Sequence, residues 1–157
     1  FDNFSQKVIE SPFLWPQDLN NSVMQKFFLI AVALAGLTAV ALGAFGAHGL
    51  KPLIDADHLN MWEKGVQYQI YHALALFMCY LYLRREDAPV IRYAGICFLL
   101  GILCFSGSLY LLSTRSLTNI PAMVLGPITP IGGFFFIAGW GLVLVNALRQ
   151  DGEKKTG

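Results

Sequence analysis

The sequence predicts an all-α integral membrane protein, an antiparallel bundle of four helices, and three observations lead to this class. Of its 157 residues, 55% are hydrophobic and only 13% are charged, whereas soluble domains have roughly 25% charged residues. Four stretches contain no Lys, Arg, Asp or Glu: residues 27–50, 66–83, 93–114 and 117–148. A helix of about 20 apolar residues crosses the hydrocarbon core of a bilayer, so each stretch is close to or above the length of one span.

A water-soluble four-helix bundle is the alternative. Its helices would have charged stripes on their outward faces, and the four stretches have none. The net charge of +1 does not indicate nucleic-acid binding. The cysteines all lie inside apolar stretches, and no His/Cys cluster has metal-ligand spacing, so we expect no metal ion and no cofactor.

Residues 1–23 differ in character from the rest of the chain. Pro12 and Pro16 interrupt a helix, and charged residues alternate with aromatic ones. We therefore expect an extended arm whose aromatic side chains rest at the level of the lipid headgroups. Because residue 1 is Phe and Met24 closely precedes the first span, we expect the arm to be a processed extension or an engineered addition. Residues 24–150 form the predicted membrane domain, and residues 151–157 a polar tail.

The first span, residues 27–47, has small residues at every fourth position. On a helix this spacing lines one face, and such strips allow a neighbouring helix backbone to approach closely in a membrane. We call this set the small-residue strip: Ala31, Ala35, Ala39, Gly43 and Ala47.

The remaining three spans are bounded by proline-containing turns. The second covers residues 62–83, and Pro89 prevents its continuation. The third covers residues 93–112 and the fourth residues 130–148. Thr129 is the expected N-cap of the fourth helix, and Pro130 lies in its first turn. The third span has a second packing seam: Cys97, Gly101, Cys104 and Ser108.

Basic residues near the spans predict the orientation. In this topology one side of the membrane has Lys7, Lys26, Arg84, Arg85, Arg92, Arg149, Lys154 and Lys155, and the other has Lys51, Lys64 and Arg115. Because cytoplasmic segments are enriched in Lys and Arg, we expect both termini inside, in a bacterial inner membrane or an organellar inner membrane.

Polar side chains gather in the outer half of the predicted bundle. Such residues are costly in lipid, so each is a candidate for function. The expected polar pocket consists of His48, Gln69, His72, Ser106, Ser108 and Thr129. For Gln69 and His72 two interpretations stay open: hydrogen bonds that hold neighbouring helices in register, or handling of a proton or ligand.

Four ordered motifs lie at residues 43–50, 68–76, 105–110 and 126–133: GAFGAHGL, YQIYHALAL, FSGSLY and GPITPIGG. Together they resemble the YgdD-like family of small bacterial inner-membrane proteins, which is related to transmembrane protein 256 and is a domain of unknown function. The resemblance covers residues 24–148 and implies four spans without an assigned activity. Its motif residues correspond to His48, Tyr68, Gln69, His72, Ser106, Ser108, Thr129 and Pro130.

The leading interpretation is a non-enzymatic structural or accessory component of a membrane assembly. We expect a protein partner or a homo-oligomer, joined through the small-residue faces. The alternative is a small oligomeric carrier or channel whose mouth is the pocket around His72. An enzyme is disfavoured because no nucleophile has a visible base and acid partner.

Overall fold

The computed structural model describes residues 16–118 and 122–153, and these ranges contain helices and turns but no strand. Helix α1 spans Pro16–Phe45 and continues through one π-helical turn, Gly46–Leu50. Helix α2 spans Ala56–Leu83. The predicted all-α class is confirmed.

The described part of the second half of the chain contains one interrupted helix, two helices of a single turn each, and one long helix. Helix α3 spans Pro89–Gly101 and leads through a π-helical turn, Ile102–Ser106, into α4, Gly107–Ser113. Two short helices occupy the expected loop that follows: α5, Arg115–Thr118, and α6, Ala122–Leu125. The last helix, α7, spans Ile128–Glu153.

The predicted extended arm is wrong for the part that the structure describes. Helix α1 begins at Pro16, so residues 16–23 are helical, while residues 1–15 lie outside the described ranges. Proline breaks a helix interior, but its missing N–H and fixed φ are tolerated in the first turn. Pro16 takes that first position. At the other end α7 continues to Glu153, so the first three residues of the predicted polar tail are helical. Residues 154–157 are not described.

The fourth helix begins one residue before the predicted cap. Ile128 is its first residue, so Thr129 and Pro130 both lie within the first turn. Proline is compatible with this turn because the first N–H groups of a helix have no intrahelical acceptor. The Thr129 hydroxyl bonds instead to another helix.

Neighbouring long helices pack antiparallel in chain order. Near one end of the molecule, the Gln25 side-chain amide of α1 donates to the Leu83 carbonyl of α2 at 2.8 Å. Near the other end, the Trp62 indole N–H of α2 donates to the Leu42 carbonyl at 2.9 Å. Helix α2 also packs on α3 and α4, and α3 packs on α7. The core is therefore built around α2 and α3, where Leu76 and Phe98 are fully buried.

Within the described ranges, three helical segments are long and apolar enough to cross a membrane by length and composition: Asn21–Leu50, Pro89–Ser113 and Ile128–Arg149. In the first and last of these, only 17% of the most apolar window is buried inside the protein. Most of that apolar surface faces outward, as expected of helices surrounded by lipid. Helix α2 is not among the three, because Gln67, Gln69 and His72 lower its apolar content.

Candidate functional site

The Gln69 side chain joins three helices. Its amide nitrogen donates to the Ala35 carbonyl at 2.7 Å and to the Thr38 hydroxyl at 2.8 Å, both on α1. Its amide oxygen accepts a hydrogen bond of 2.8 Å from the Tyr110 hydroxyl on α4. Gln69 itself is only 4% exposed. Both ends of a buried amide are thus satisfied across helices, which fixes the positions of α1, α2 and α4 relative to one another.

An aromatic layer lies beside Gln69 toward the start of α2. The Trp62 and Tyr110 rings have centroids 4.7 Å apart, and Phe45 packs on Trp62 at 5.8 Å. Tyr110 can approach because Gly65 lies below its ring: a Cβ atom at Gly65 would lie 2.8 Å from Tyr110 Cε1. The glycine therefore sets the depth at which the tyrosine hydroxyl reaches Gln69.

His72 lies one turn further along α2, among aromatic rings. Its Nδ1 is 2.8 Å from the Tyr68 carbonyl oxygen, and because a carbonyl can only accept, Nδ1 carries the hydrogen. The His72 ring stacks on Phe136 of α7, with centroids 3.4 Å apart and planes 9° apart. Phe98 and Trp140 complete the enclosure at 5.8 and 6.5 Å. His72 is 6% exposed, so its ring joins α2 to α7 mainly by stacking.

The two predicted serines have different surroundings. Ser108 Oγ lies 2.7 Å from Thr129 Oγ1, a hydroxyl pair that joins α4 to α7. Ser108 Oγ also donates to its own helix, at the Phe105 carbonyl. Ser106, at the end of the π-helical turn, is fully buried, and its hydroxyl has no hydrogen-bond partner among the described residues. An orphan hydroxyl of this kind is an energetic cost.

The structure separates the expected polar pocket into distinct contacts. Gln69 bonds to α1 and α4, His72 stacks against α7, and Ser108 pairs with Thr129. His48 lies in the π-helical turn after α1 and is exposed. Gln69 therefore joins three helices, and His72 and the Ser108–Thr129 pair each join two.

Two residues of the Gln69 network were missed from the sequence, Thr38 and Tyr110. Thr38 is the one hydroxyl-bearing residue in the charge-free stretch of α1. This isolated polar group could have identified Thr38 from the sequence as a candidate hydrogen-bonding residue. It lies on the same face as Ala35, whose carbonyl Gln69 also uses. Tyr110 gave no such signal, because aromatic residues are common near the ends of spans.

The small-residue strip is largely used inside the protein. Ala35 and Ala39 are buried, Gly43 faces Val66 of α2, and Ala47 is exposed. The seam of the third span is used similarly: Gly101 lies against Phe136 of α7, and Ser108 bonds to that helix. Cys97 and Cys104 of this seam are half-buried, free thiols.

A lateral groove with a volume of about 470 Å³ opens between α1 and the α3–α4 segment. Its walls are apolar, with Leu34 on one side and Leu103 on the other, and Gln69 and Tyr110 form part of its floor. The floor groups already bond to each other. The groove therefore presents apolar surface above a polar contact that is internally satisfied.

Two charged contacts organise the ends of the bundle. Asp55 caps α2 by accepting from the His58 N–H at 2.9 Å, and this bond, with a second one to the His58 ring, lowers the Asp55 pKa. His58 Nε2 accepts from Arg115, which ties this cap to the loop after α4. At the opposite end, the hydrogen bond from Arg92 lowers the pKa of Asp87. Among the described residues, no group of three His, Cys, Asp or Glu side chains could hold a metal ion.

The fold and these contacts define a class, a small all-helical membrane protein whose interior polar groups join neighbouring helices. Within this class, residues 42–133 match the family described as "Protein of unknown function (DUF423)". The match covers more than half of the chain, and the chain belongs to this family.

Relatives from several bacteria agree with this assignment. The chain is 43% identical over 125 residues to the "UPF0382 membrane protein YwdK" of Bacillus subtilis (strain 168), covering 79% of this chain and 98% of that protein. It is 41% identical over 127 residues to the "UPF0382 membrane protein SH2409" of Staphylococcus haemolyticus (strain JCSC1435), covering 81% and 99%. It is 39% identical over 124 residues to the "UPF0382 inner membrane protein YgdD" of Escherichia coli (strain K12), covering 79% and 91%.

These relatives confirm the YgdD-like resemblance that the four motifs predicted. Their names place them in a membrane and state no activity. The chain is accordingly a small integral membrane protein. No solved structure matches it.

Proposed function

We propose that all four long helices cross the bilayer, with both termini inside. Helix α2 is the least apolar of the four, yet its most polar interior groups are satisfied: Gln69 bonds to α1 and α4, and His72 Nδ1 bonds to a backbone carbonyl. A polar side chain paired in this way is tolerated in lipid. The excess of basic residues around the turn at Arg84 and Arg85 supports the inside position of the termini.

The best-supported role is that of a non-enzymatic accessory component of a membrane assembly. The observation that carries this proposal is the use of the interior polar groups as joints between helices, with Gln69 bonded to two neighbours and Ser108 to Thr129. Groups committed to such bonds stabilise one arrangement of the helices. A rigid bundle of this kind suits a packing role, in which its outward faces contact other membrane helices.

Because the small-residue strip already packs on α2, association would use a different face of α1. Gly36 is the best candidate on that face, because a Cβ built there would meet no described atom within 4 Å outside its own stretch of helix. Leu29 and Val40 beside it are exposed. Glycine on a lipid-facing surface lets a second helix approach closely.

The test is Gly36→Leu, with Gly141→Leu on α7 as the matched control, since both glycines are open. We expect Gly36→Leu to leave the bundle folded and to abolish photo-crosslinked adducts formed in native membranes, while Gly141→Leu retains them. If the wild-type protein yields no adduct and is strictly monomeric in native nanodiscs, the accessory role is wrong.

A small oligomeric carrier is the second candidate, and the groove between α1 and α3–α4 favours it, because Gln69 and Tyr110 provide polar groups at its floor. We expect a carrier to show flux of ions or small metabolites in liposomes, and we expect Gln69→Leu or Tyr110→Phe at the floor of the groove to abolish it. Equal background leak in wild type and both variants would exclude this role.

A further inference from the structure

A cleft with a volume of about 630 Å³ lies at the end of α2, on the side of the turn that leads to α3. Its described lining comes from one helix end: Met78, Leu81, Tyr82, Arg84 and Arg85. We propose that this cleft binds one anionic phospholipid, with the phosphate between the two arginines and an acyl chain along Met78 and Leu81.

The spacing of the lining residues places polar and apolar parts at the depths that a phospholipid requires. Positions 78, 81, 82 and 85 follow the spacing of a single helical face. The backbone continues this face past the helix end, because the Arg85 N–H still donates to the Tyr82 carbonyl at 2.9 Å. At about 1.5 Å per residue, Arg85 lies about 6 Å above Leu81 and about 10 Å above Met78. Headgroup contacts thus lie one to two turns above the acyl-chain contacts.

Charge supports an anionic occupant. Both arginines are exposed, and neither forms an ion pair with any residue that the structure describes. By contrast, Arg92, across the same turn, pairs with Asp87. Two neighbouring guanidinium groups without a carboxylate partner match a phosphodiester, which each can bind through two parallel hydrogen bonds.

The apolar part of the cleft supports a lipid rather than a soluble anion. Met78 is 54% exposed and Leu81 45% exposed, directly below the arginines. In a bilayer this surface lies at the level of the acyl chains, where it would contact lipid in any case. Basic residues above such a surface form the kind of pocket that holds an anionic headgroup.

The experiment measures lipid retained by the full chain in native mass spectrometry, after incubation with mixed micelles of phosphatidylglycerol and phosphatidylcholine. We expect the wild type to retain phosphatidylglycerol preferentially. Each arginine near an anionic surface changes affinity about fivefold, so Arg84→Gln with Arg85→Gln should weaken phosphatidylglycerol binding roughly 30-fold.

Two controls separate a site from general attraction. Lys26→Gln with Lys51→Gln removes the same charge from exposed positions outside the cleft and should retain phosphatidylglycerol. Leu81→Trp fills the apolar part, keeps both arginines and should lower retention, whereas Leu37→Trp on the exposed face of α1 should not.

Three outcomes would overturn the proposal. The first is equal retention of the two lipids by the wild type, and the second is equal loss in the lysine and arginine variants. The third is unchanged retention in Leu81→Trp, which would mean that the cleft below the arginines is not used.

Discussion

The contact between Gly132 of α7 and Phe105 offers the sharpest test of the packing. A Cβ atom at Gly132 would lie 2.7 Å from Phe105 Cα and closer still to Phe105 N. Both are backbone atoms, so no rotamer change can relieve the overlap, and Gly132→Ala must move α7 away from the preceding helix. The neighbouring Gly133 is the matched control, because its Cβ would be 3.9 Å from the Phe105 ring, an ordinary contact.

The two substitutions should have opposite effects. Alanine is favoured over glycine inside a helix by about 1 kcal/mol, and this is the gain expected for Gly133→Ala. Overpacking a core costs about 1–3 kcal/mol, and the backbone contact places Gly132→Ala at the upper end of that range. After subtraction of the same helix-propensity gain, Gly132→Ala should be less stable than the wild type by about 2 kcal/mol. The two variants should differ by about 3 kcal/mol.

Unfolding in mixed micelles by increasing SDS, followed by tryptophan fluorescence and circular dichroism, measures this difference. Both variants should retain wild-type helix content before the transition. Equal stability of Gly132→Ala and Gly133→Ala would show that α7 does not approach Phe105 at backbone distance.

Three further predictions use the same unfolding assay. Gln69→Leu should lower the free energy of unfolding by about 2 kcal/mol, because the variant loses three hydrogen bonds and each is worth about 0.6 kcal/mol in a membrane. In a Tyr110→Phe background the loss should be smaller, because one of the three bonds is already absent. Fully additive effects of the two substitutions would contradict the hydrogen bond between them. Ser106→Ala should stabilise by about 1 kcal/mol by removing an unpartnered hydroxyl, and a destabilised variant would show that the hydroxyl has a partner. Folding lowers the pKa of Asp55, so the Asp55 carboxylate stabilises the folded state at pH values above its ordinary pKa of 3.8. This stabilisation is lost as the pH falls through the lowered pKa of the folded state. Asp55→Ala should therefore be less stable than wild type at neutral pH and indistinguishable from it in strong acid, and a difference that persists there would exclude the cap formed with His58.

Hydropathy predicted the helices well because lipid exposure constrains composition over a whole span. The first three charge-free stretches are almost entirely helical, whereas the fourth begins at Leu117, well before α7 starts at Ile128. Pro89 begins α3, as expected of a residue that cannot continue α2. Local rules were less reliable where one residue has two uses. Proline disrupts the interior of a helix but is favoured in its first turn. Pro16 is a proline of the second kind, since α1 begins there.

The partners of the polar residues were harder to predict than their existence. Gln69 and His72 are three residues apart, on one side of α2. They nevertheless contact different helices, α1 and α4 for Gln69 and α7 for His72. Spacing along one helix does not determine which neighbour covers each part of its face. Phe136 is one residue among many apolar ones in α7, so nothing local in the sequence distinguishes it as the ring that stacks on His72.

The small-residue strip illustrates the same limit. Its spacing indicates close approach of a helix, but not whether that helix belongs to the same chain. In the structure Ala35 and Gly43 face α2. The face with open space is marked instead by Gly36, which is not part of the strip.

We propose that four helices cross the membrane, so that the two ends of α2 lie on opposite sides. Single cysteines at Asp57 and Arg85, in a background without Cys79, Cys97 and Cys104, can be labelled with a membrane-impermeant maleimide in right-side-out and inverted vesicles. With four spans and both termini inside, Asp57→Cys should react only in right-side-out vesicles and Arg85→Cys only in inverted ones. Labelling of both positions from the same side would contradict it.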